Sequence, residues 1–182
     1  MYRWIDGHGE APGAPGLEPR WTSSQKSVVG TAYSTSSKIW WTTSHGTINE
    51  IYNPTIDKPQ VRDLELLVTD GESFVHEEKR DLKHSFCYLA PDAPAVGIVN
   101  RDPAGRYTIT KAIISDPHAP VLLMHVKFSG DPDVLRKLKA YALLAPHLEV
   151  GGAHNNGRVL DVAGRQVLLA WKGASALAMA VD

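Results

Sequence analysis

The chain has 182 residues with 19 basic and 20 acidic side chains, which at roughly 150 residues per domain is one domain or one plus a fragment. A net charge of −1 excludes a broad electrostatic footprint for nucleic acid or an anionic membrane, and the single cysteine, Cys87, excludes a disulfide framework or a cysteine-based zinc finger. Apolar residues at 43% and charged residues at 21% are ordinary globular usage.

Met1–Gly16 lacks the basic start and the apolar run of about 7–15 residues that a secretory peptide needs, and no apolar run reaches the roughly 18 residues of a membrane span. The expectation is a cytoplasmic chain, or an exported one whose signal has been removed. Through about Lys26 the chain reads as an extended arm. Pro12, Pro15 and Pro19 sit among glycines, and Trp4, Leu17 and Trp21 are apolar anchors along it.

From residue 27 onward the texture is that of short strands. Val28–Tyr33, Lys38–Thr43, Thr47–Tyr52 and Leu64–Thr69 are rich in Val, Ile, Thr, Tyr and Trp. Between them lie Ser34–Ser37, Ser44-His45-Gly46, Asn53-Pro54 and Asp70-Gly71, all with turn chemistry. Further strands are predicted at Ser85–Leu89, Val96–Asn100, Arg106–Ser115 and Val121–Ser129. In the third of these Tyr107, Ile109, Lys111 and Ile113 share a face, apolar except for one lysine. Asp133–Ala145 reads either as a helix capped by Asp131 with Pro132 in its first turn, or as a short helical turn with a strand from Lys139, the reading favoured here. Strands at Arg158–Val162, Gln166–Lys172 and Ala176–Val181 complete the chain. Many short strands at roughly 8–12-residue spacing predict an all-β antiparallel sandwich over residues 27–182.

The eight histidines are scattered, with no His-x-x-x-His pair to place two imidazoles on one helical face. No phosphate-binding glycine loop or Gly-x-Ser-x-Gly elbow is present, so no metal or cofactor is expected. The densest polar run is His76-Glu77-Glu78-Lys79-Arg80-Asp81. Adjacent residues of an extended segment point to opposite sides, so Glu77 and Glu78 make a poor acid/base dyad, and the run is read as a solvated, charge-balanced turn.

The stretch from Trp40 to Asp63 is more informative. Two adjacent tryptophans on a strand face opposite ways, so one belongs to the core and the other is either a sugar-stacking platform or part of a second buried face. Asn53–Asp63 reads as a loop stiffened by Pro54 and Pro59, with Asp57, Gln60, Arg62 and Asp63 offering donors and acceptors. Together with Glu50, Tyr52 and Trp41 these are the candidate contacts to a substrate or a partner domain. The competing reading is a structural loop whose charges satisfy one another.

The run from Lys38 through Gly71, containing Trp40-Trp41-Thr-Thr-Ser-His-Gly and Asn49-Glu-Ile-Tyr-Asn-Pro, resembles the N-terminal domain of bacterial glucoamylases and glucodextranases. Supporting matches are Arg20-Trp-Thr-Ser-Ser, Glu77-Glu-Lys-Arg-Asp, Asn100-Arg-Asp-Pro, Tyr141-Ala-Leu-Leu-Ala-Pro-His and Leu168-Leu-Ala-Trp-Lys. The sequence departs from the pattern at Trp41 and Asn53, where Phe and Tyr are more usual. The resemblance implies a β-supersandwich that precedes a catalytic (α/α)-barrel, with both catalytic glutamates in the barrel. The chain alone is then expected to be inactive, incomplete at its C-terminal end, and partnered by that barrel. The parent would be an exo-acting glucosidase on α-glucans, with glucodextranase or trehalase activity as alternatives. A stand-alone glucan-binding module is the second hypothesis, and a homodimer through truncated sheet edges is expected.

Overall fold

The computed structural model describes residues 23–182, so the anchors expected at Trp4, Leu17 and Trp21 lie outside the described residues. The chain divides into two compact units, one spanning Thr22–Ala145 and the other containing Pro146–Asp182. Almost every element is a strand, as the alternation predicts.

The first unit holds two antiparallel sheets. In one, β1 (Val28–Thr31), β2 (Trp40–Ser44), β3 (Thr47–Tyr52) and β4 (Pro59–Thr69) follow in order, β10 (Lys139–Pro146) lies beside β4, and the short β5 (Val75–Glu77) also pairs with β4. In the other, β6 (Lys83–Ala90), β7 (Ala93–Arg101), β8 (Tyr107–Ser115) and β9 (Leu122–Gly130) form a meander. Helical turns α1 (Glu78–Asp81) and α2 (Pro132–Leu135) join the sheets. The segment from Asp133 is therefore a single helical turn capped by the Asp131 carboxylate, which accepts from the Asp133 amide at 2.7 Å, followed by a strand from Lys139.

Burial explains the sandwich. Trp41, Ile48, Val61 and Val68 of one sheet and Val96, Ile98, Tyr107, Ile109 and Ile113 of the other are almost wholly removed from water. Each such side chain contributes roughly 1.5–3 kcal/mol of transfer free energy. Trp41 spans the layers, donating its indole Nε1–H to Ser115 Oγ at 2.8 Å. Gly30, one strand away, is the residue that lets this ring lie flat: an added Cβ would sit 2.3 Å from it. The β2–β3 turn is His45-Gly46, both at positive φ, which matches the right-handed strand twist. The end strand β6 differs from the rest. Lys83–Leu89 are exposed on both faces, with Phe86, Tyr88 and Leu89 about half exposed or more.

The second unit is a three-stranded antiparallel sheet, β11 (Asn156–Val162), β12 (Arg165–Lys172) and β13 (Ser175–Ala180), preceded by a 3-10 turn over Leu148–Val150. Ala163-Gly164, both at positive φ, close its first hairpin.

Candidate functional site

The β3–β4 hairpin carries most of the residues singled out in the sequence, and it is shorter in loop than expected. Only residues 53–58 form the tip, and β4 begins at Pro59, so Gln60, Arg62 and Asp63 are strand residues and not loop residues. Val61 is the reason. It pairs with Ile51 and is fully buried, and that apolar contact draws the flanking polar residues into the ladder. The tip is closed by Asn53 N–H to Lys58 O at 3.1 Å and Lys58 N–H to Thr55 O at 3.1 Å. Side chains tie it down on both sides. Asn53 Nδ2 donates to Lys38 O at 2.6 Å, and Gln60 Nε2 donates to Asn53 O at 2.8 Å.

The candidates split into three groups. Glu50 accepts the Tyr52 hydroxyl and pairs with Lys26 Nζ at 2.7 Å. Burial, then the Glu50 carboxylate, pushes the Tyr52 phenol above its ordinary range. Asp57 stands exposed at the tip, its carboxyl held below the usual range first by the Thr55 side chain. Asp63 is buried and bridges two cations, Arg62 Nε at 2.8 Å and Lys79 Nζ at 3.3 Å. Arg62 uses Nε for that bond and keeps 34% of its side chain exposed. It is thus paired within the domain and only partly covered. Trp41 stands apart from these residues: it is fully buried against Ser115 and offers no ring to a ligand, so it belongs to the core.

Three polar features were not anticipated. The run His76–Asp81 is not a solvated turn. Glu78 is fully buried, accepting from Lys111 Nζ at 2.6 Å, Leu66 N–H at 2.7 Å and Asn100 Nδ2 at 2.8 Å. Asn100 Nδ2 and Lys111 Nζ also reach Gly46 O, at 2.9 and 3.1 Å. One network thus joins α1, β4, β7, β8 and the β2–β3 turn. Burial pulls the Lys111 ammonium below the ordinary lysine range, with the Glu78 charge opposing. Glu65 on β4 is also buried; burial first, then Glu77 and Asp63, raises its carboxyl. In the β7–β8 turn, Asp102 holds Arg106 through Nε at 2.6 Å and Nη2 at 3.0 Å, and this hydrogen bonding is the main reason its carboxyl titrates at about 2. Arg106 in turn lies 4.1 Å over the Phe74 ring and beside His76, which meets the Tyr107 hydroxyl at 2.8 Å.

Among the described residues, no group of three or more His, Cys, Asp or Glu side chains is placed to hold a metal ion. The cavity lined by Ser27, Thr43, Gly46, His84, Ser85, Phe86 and Ile98 has a volume of about 10 Å³, room for a water molecule and not for a sugar. No helix is long and apolar enough to cross a membrane among the described residues.

Comparison with known proteins gives consistent matches. Residues 11–182 match the family described as glucodextranase, domain N. A glucoamylase from Clostridium sp. (strain G0005) is 37% identical over 160 residues, covering 88% of this chain and 23% of the relative. A crystal structure of bacterial glucoamylase complexed with acarbose superposes with a TM-score of 0.83 at 37% identity, covering 87% of this chain and 23% of that one. The chain therefore spans about a quarter of the length of these relatives.

Proposed function

The chain belongs to the glucodextranase domain N family, and on that footing we propose that it is the non-catalytic N-terminal domain of an exo-acting glucosidase, docking on and supporting a catalytic (α/α)-barrel. The observation that carries this reading is the β3–β4 hairpin. Its tip is braced by four hydrogen bonds, and Arg62 is oriented by Asp63 while one-third exposed. A pre-oriented guanidinium suits a bidentate contact with a carboxylate on a neighbouring domain. Glu50, Tyr52, Asp57 and Gln60 lie on the same hairpin, and the parent substrate on this reading is a glucan with terminal α-glucosidic bonds.

The test has two arms. The 182-residue chain alone, incubated with maltooligosaccharides, isomaltose and trehalose, releases no glucose; release that tracks with the folded protein through purification and is lost on unfolding would overturn the reading. In the parent enzyme, Arg62→Ala weakens docking by about 1–3 kcal/mol, the worth of a charge-assisted bond left unmade. Unchanged activity and thermal stability there would remove Arg62 from the interface.

A second reading, direct binding of α-glucan, is favoured by the exposed aromatics Tyr33, Phe86 and Tyr88; saturable retention on a glucan column, lost on removing these rings, would support it. We also propose that the chain self-associates through an exposed sheet edge, a reading supported by the exposure of β6.

A further inference from the structure

We propose that the outer edge of β6 pairs antiparallel with the same edge of a second copy of this chain, with Phe86 on the two-fold axis. The proposal rests on the self-association reading above and names the strand, the register and the side chains. β6 ends the four-stranded sheet, and among the described residues no strand pairs with its outer edge. Exposure separates it from the other end strand, β9, whose residues alternate between half-buried and exposed. In β6 all of Lys83–Leu89 are exposed, including Phe86 at 47% and Tyr88 at 61%. Edge strands are ordinarily protected by charges, prolines or covering elements, and this one carries a single formal charge, Lys83.

Symmetry and side-chain pattern select the register. A two-fold axis perpendicular to a sheet keeps each residue on its own face, so the axis must pass midway between one residue and its own copy. The register shift after Tyr88 limits the regular ladder to Lys83–Tyr88. Centres at Ser85 and at Phe86 use that stretch equally, and the row of ring side chains selects Phe86. Phe86 then faces its own copy, His84 faces Tyr88 on either side, and one face of the joint carries a continuous row of rings. On the other face Ser85 lies opposite Cys87. Charge fixes the direction. Antiparallel pairing carries Lys83 toward the partner's β6–β7 hairpin tip, where Asp92 is exposed, whereas parallel pairing sets Lys83 against Lys83. The joined sheet would have eight strands, and closed two-fold pairing leaves neither β6 edge open.

Sedimentation velocity on the 182-residue chain over a range of concentrations, with far-UV circular dichroism as a fold control, tests this. A concentration-dependent dimer is expected, and Phe86→Lys, which sets two like charges against each other at the axis, weakens it at least about tenfold. Should Phe86→Lys unfold the chain, the more exposed Tyr88→Lys provides the same measurement. Ser85→Cys probes the register: with the native Cys87 opposite, Cα atoms about 4.5–5.5 Å apart lie within disulfide reach, and mild oxidation yields a covalent dimer. Native Cys87, diagonal to its own copy at about 7–8 Å, yields little. A clean monomer at high concentration overturns both this proposal and the self-association reading. A dimer insensitive to both lysine variants overturns β6 alone. Equal cross-linking with and without Ser85→Cys overturns the register.

Discussion

Lys111→Met removes the cation from the buried network at the centre of the first unit, and its cost follows from what remains. Glu78 is fully buried and keeps only the Leu66 amide and the Asn100 side chain as partners, while Gly46 O loses one of its two side-chain donors. An uncompensated buried carboxylate typically costs about 3–5 kcal/mol. Against a domain stability of roughly 5–15 kcal/mol this is a large fraction, and it lowers the melting temperature by roughly 10–20 °C for a unit of this size. Adding Glu78→Gln removes the charge while leaving a carbonyl for the Leu66 amide, so Lys111→Met/Glu78→Gln is more stable than Lys111→Met alone. Urea unfolding followed by circular dichroism measures both effects. A cost below about 1 kcal/mol for Lys111→Met, or a double variant less stable than the single, would refute the view that the charge pair holds this network together.

Three further outcomes are expected. Asp102, held at about 2 by Arg106, contributes stability that is present above the unfolded carboxylate range and lost as pH falls toward 2; Asp102→Asn removes on the order of 2 kcal/mol at neutral pH and flattens the acid limb of a stability–pH titration. Gly46→Ala brings a Cβ to 2.2 Å from Asn100 Oδ1 at a positive φ, and thermal unfolding will show a loss of at least about 2 kcal/mol. Trp41→Ala removes the largest fully buried side chain and costs about 3–5 kcal/mol by urea unfolding; a loss under about 1 kcal/mol would contradict its placement in the core.

The strands were legible because alternation and turn chemistry are local signals. Ser44-His45-Gly46, Asp70-Gly71 and Ala163-Gly164 mark hairpin turns, and the strand from Lys139 follows from the strong cap and stop around Asp131-Pro132. The buried charges were not legible, because each looks like a surface residue until its partner is known. Gln60, Asp63 and Glu65 gave β4 the look of a loop running into a strand, although the alternation through Val61 was already there. The same holds for Glu78, hidden inside a run of six polar residues. One trace of it was visible: Lys111 interrupts the apolar face of Tyr107, Ile109 and Ile113, and a lysine on an otherwise buried face requires an acid on the opposing layer. Which acid, among Glu65, Glu77 and Glu78, depends on the packing of two sheets, which no local pattern encodes. Trp41 illustrates a related limit. Alternation placed one tryptophan inside and one outside but could not say which, since both flanks read alike.

The placement of β10 next to β4 has a kinetic consequence. The chain leaves the six-stranded sheet after β5, builds the whole β6–β9 meander, and only then returns to bring β10 beside β4. That edge of β4 therefore waits for the rest of the unit. During synthesis the hairpins of β2–β3, β4–β5 and β6–β9 can form as they emerge, but the pairing of β4 with β10 waits until Lys139–Pro146 has been made. Closing so long a loop is entropically slow, and the order of events is imposed by connectivity whatever the final stability. Nascent chains halted before β10 should therefore carry an adhesive strand, and the interval between the two halves of this sheet is the period in which the protein is most exposed to misassembly.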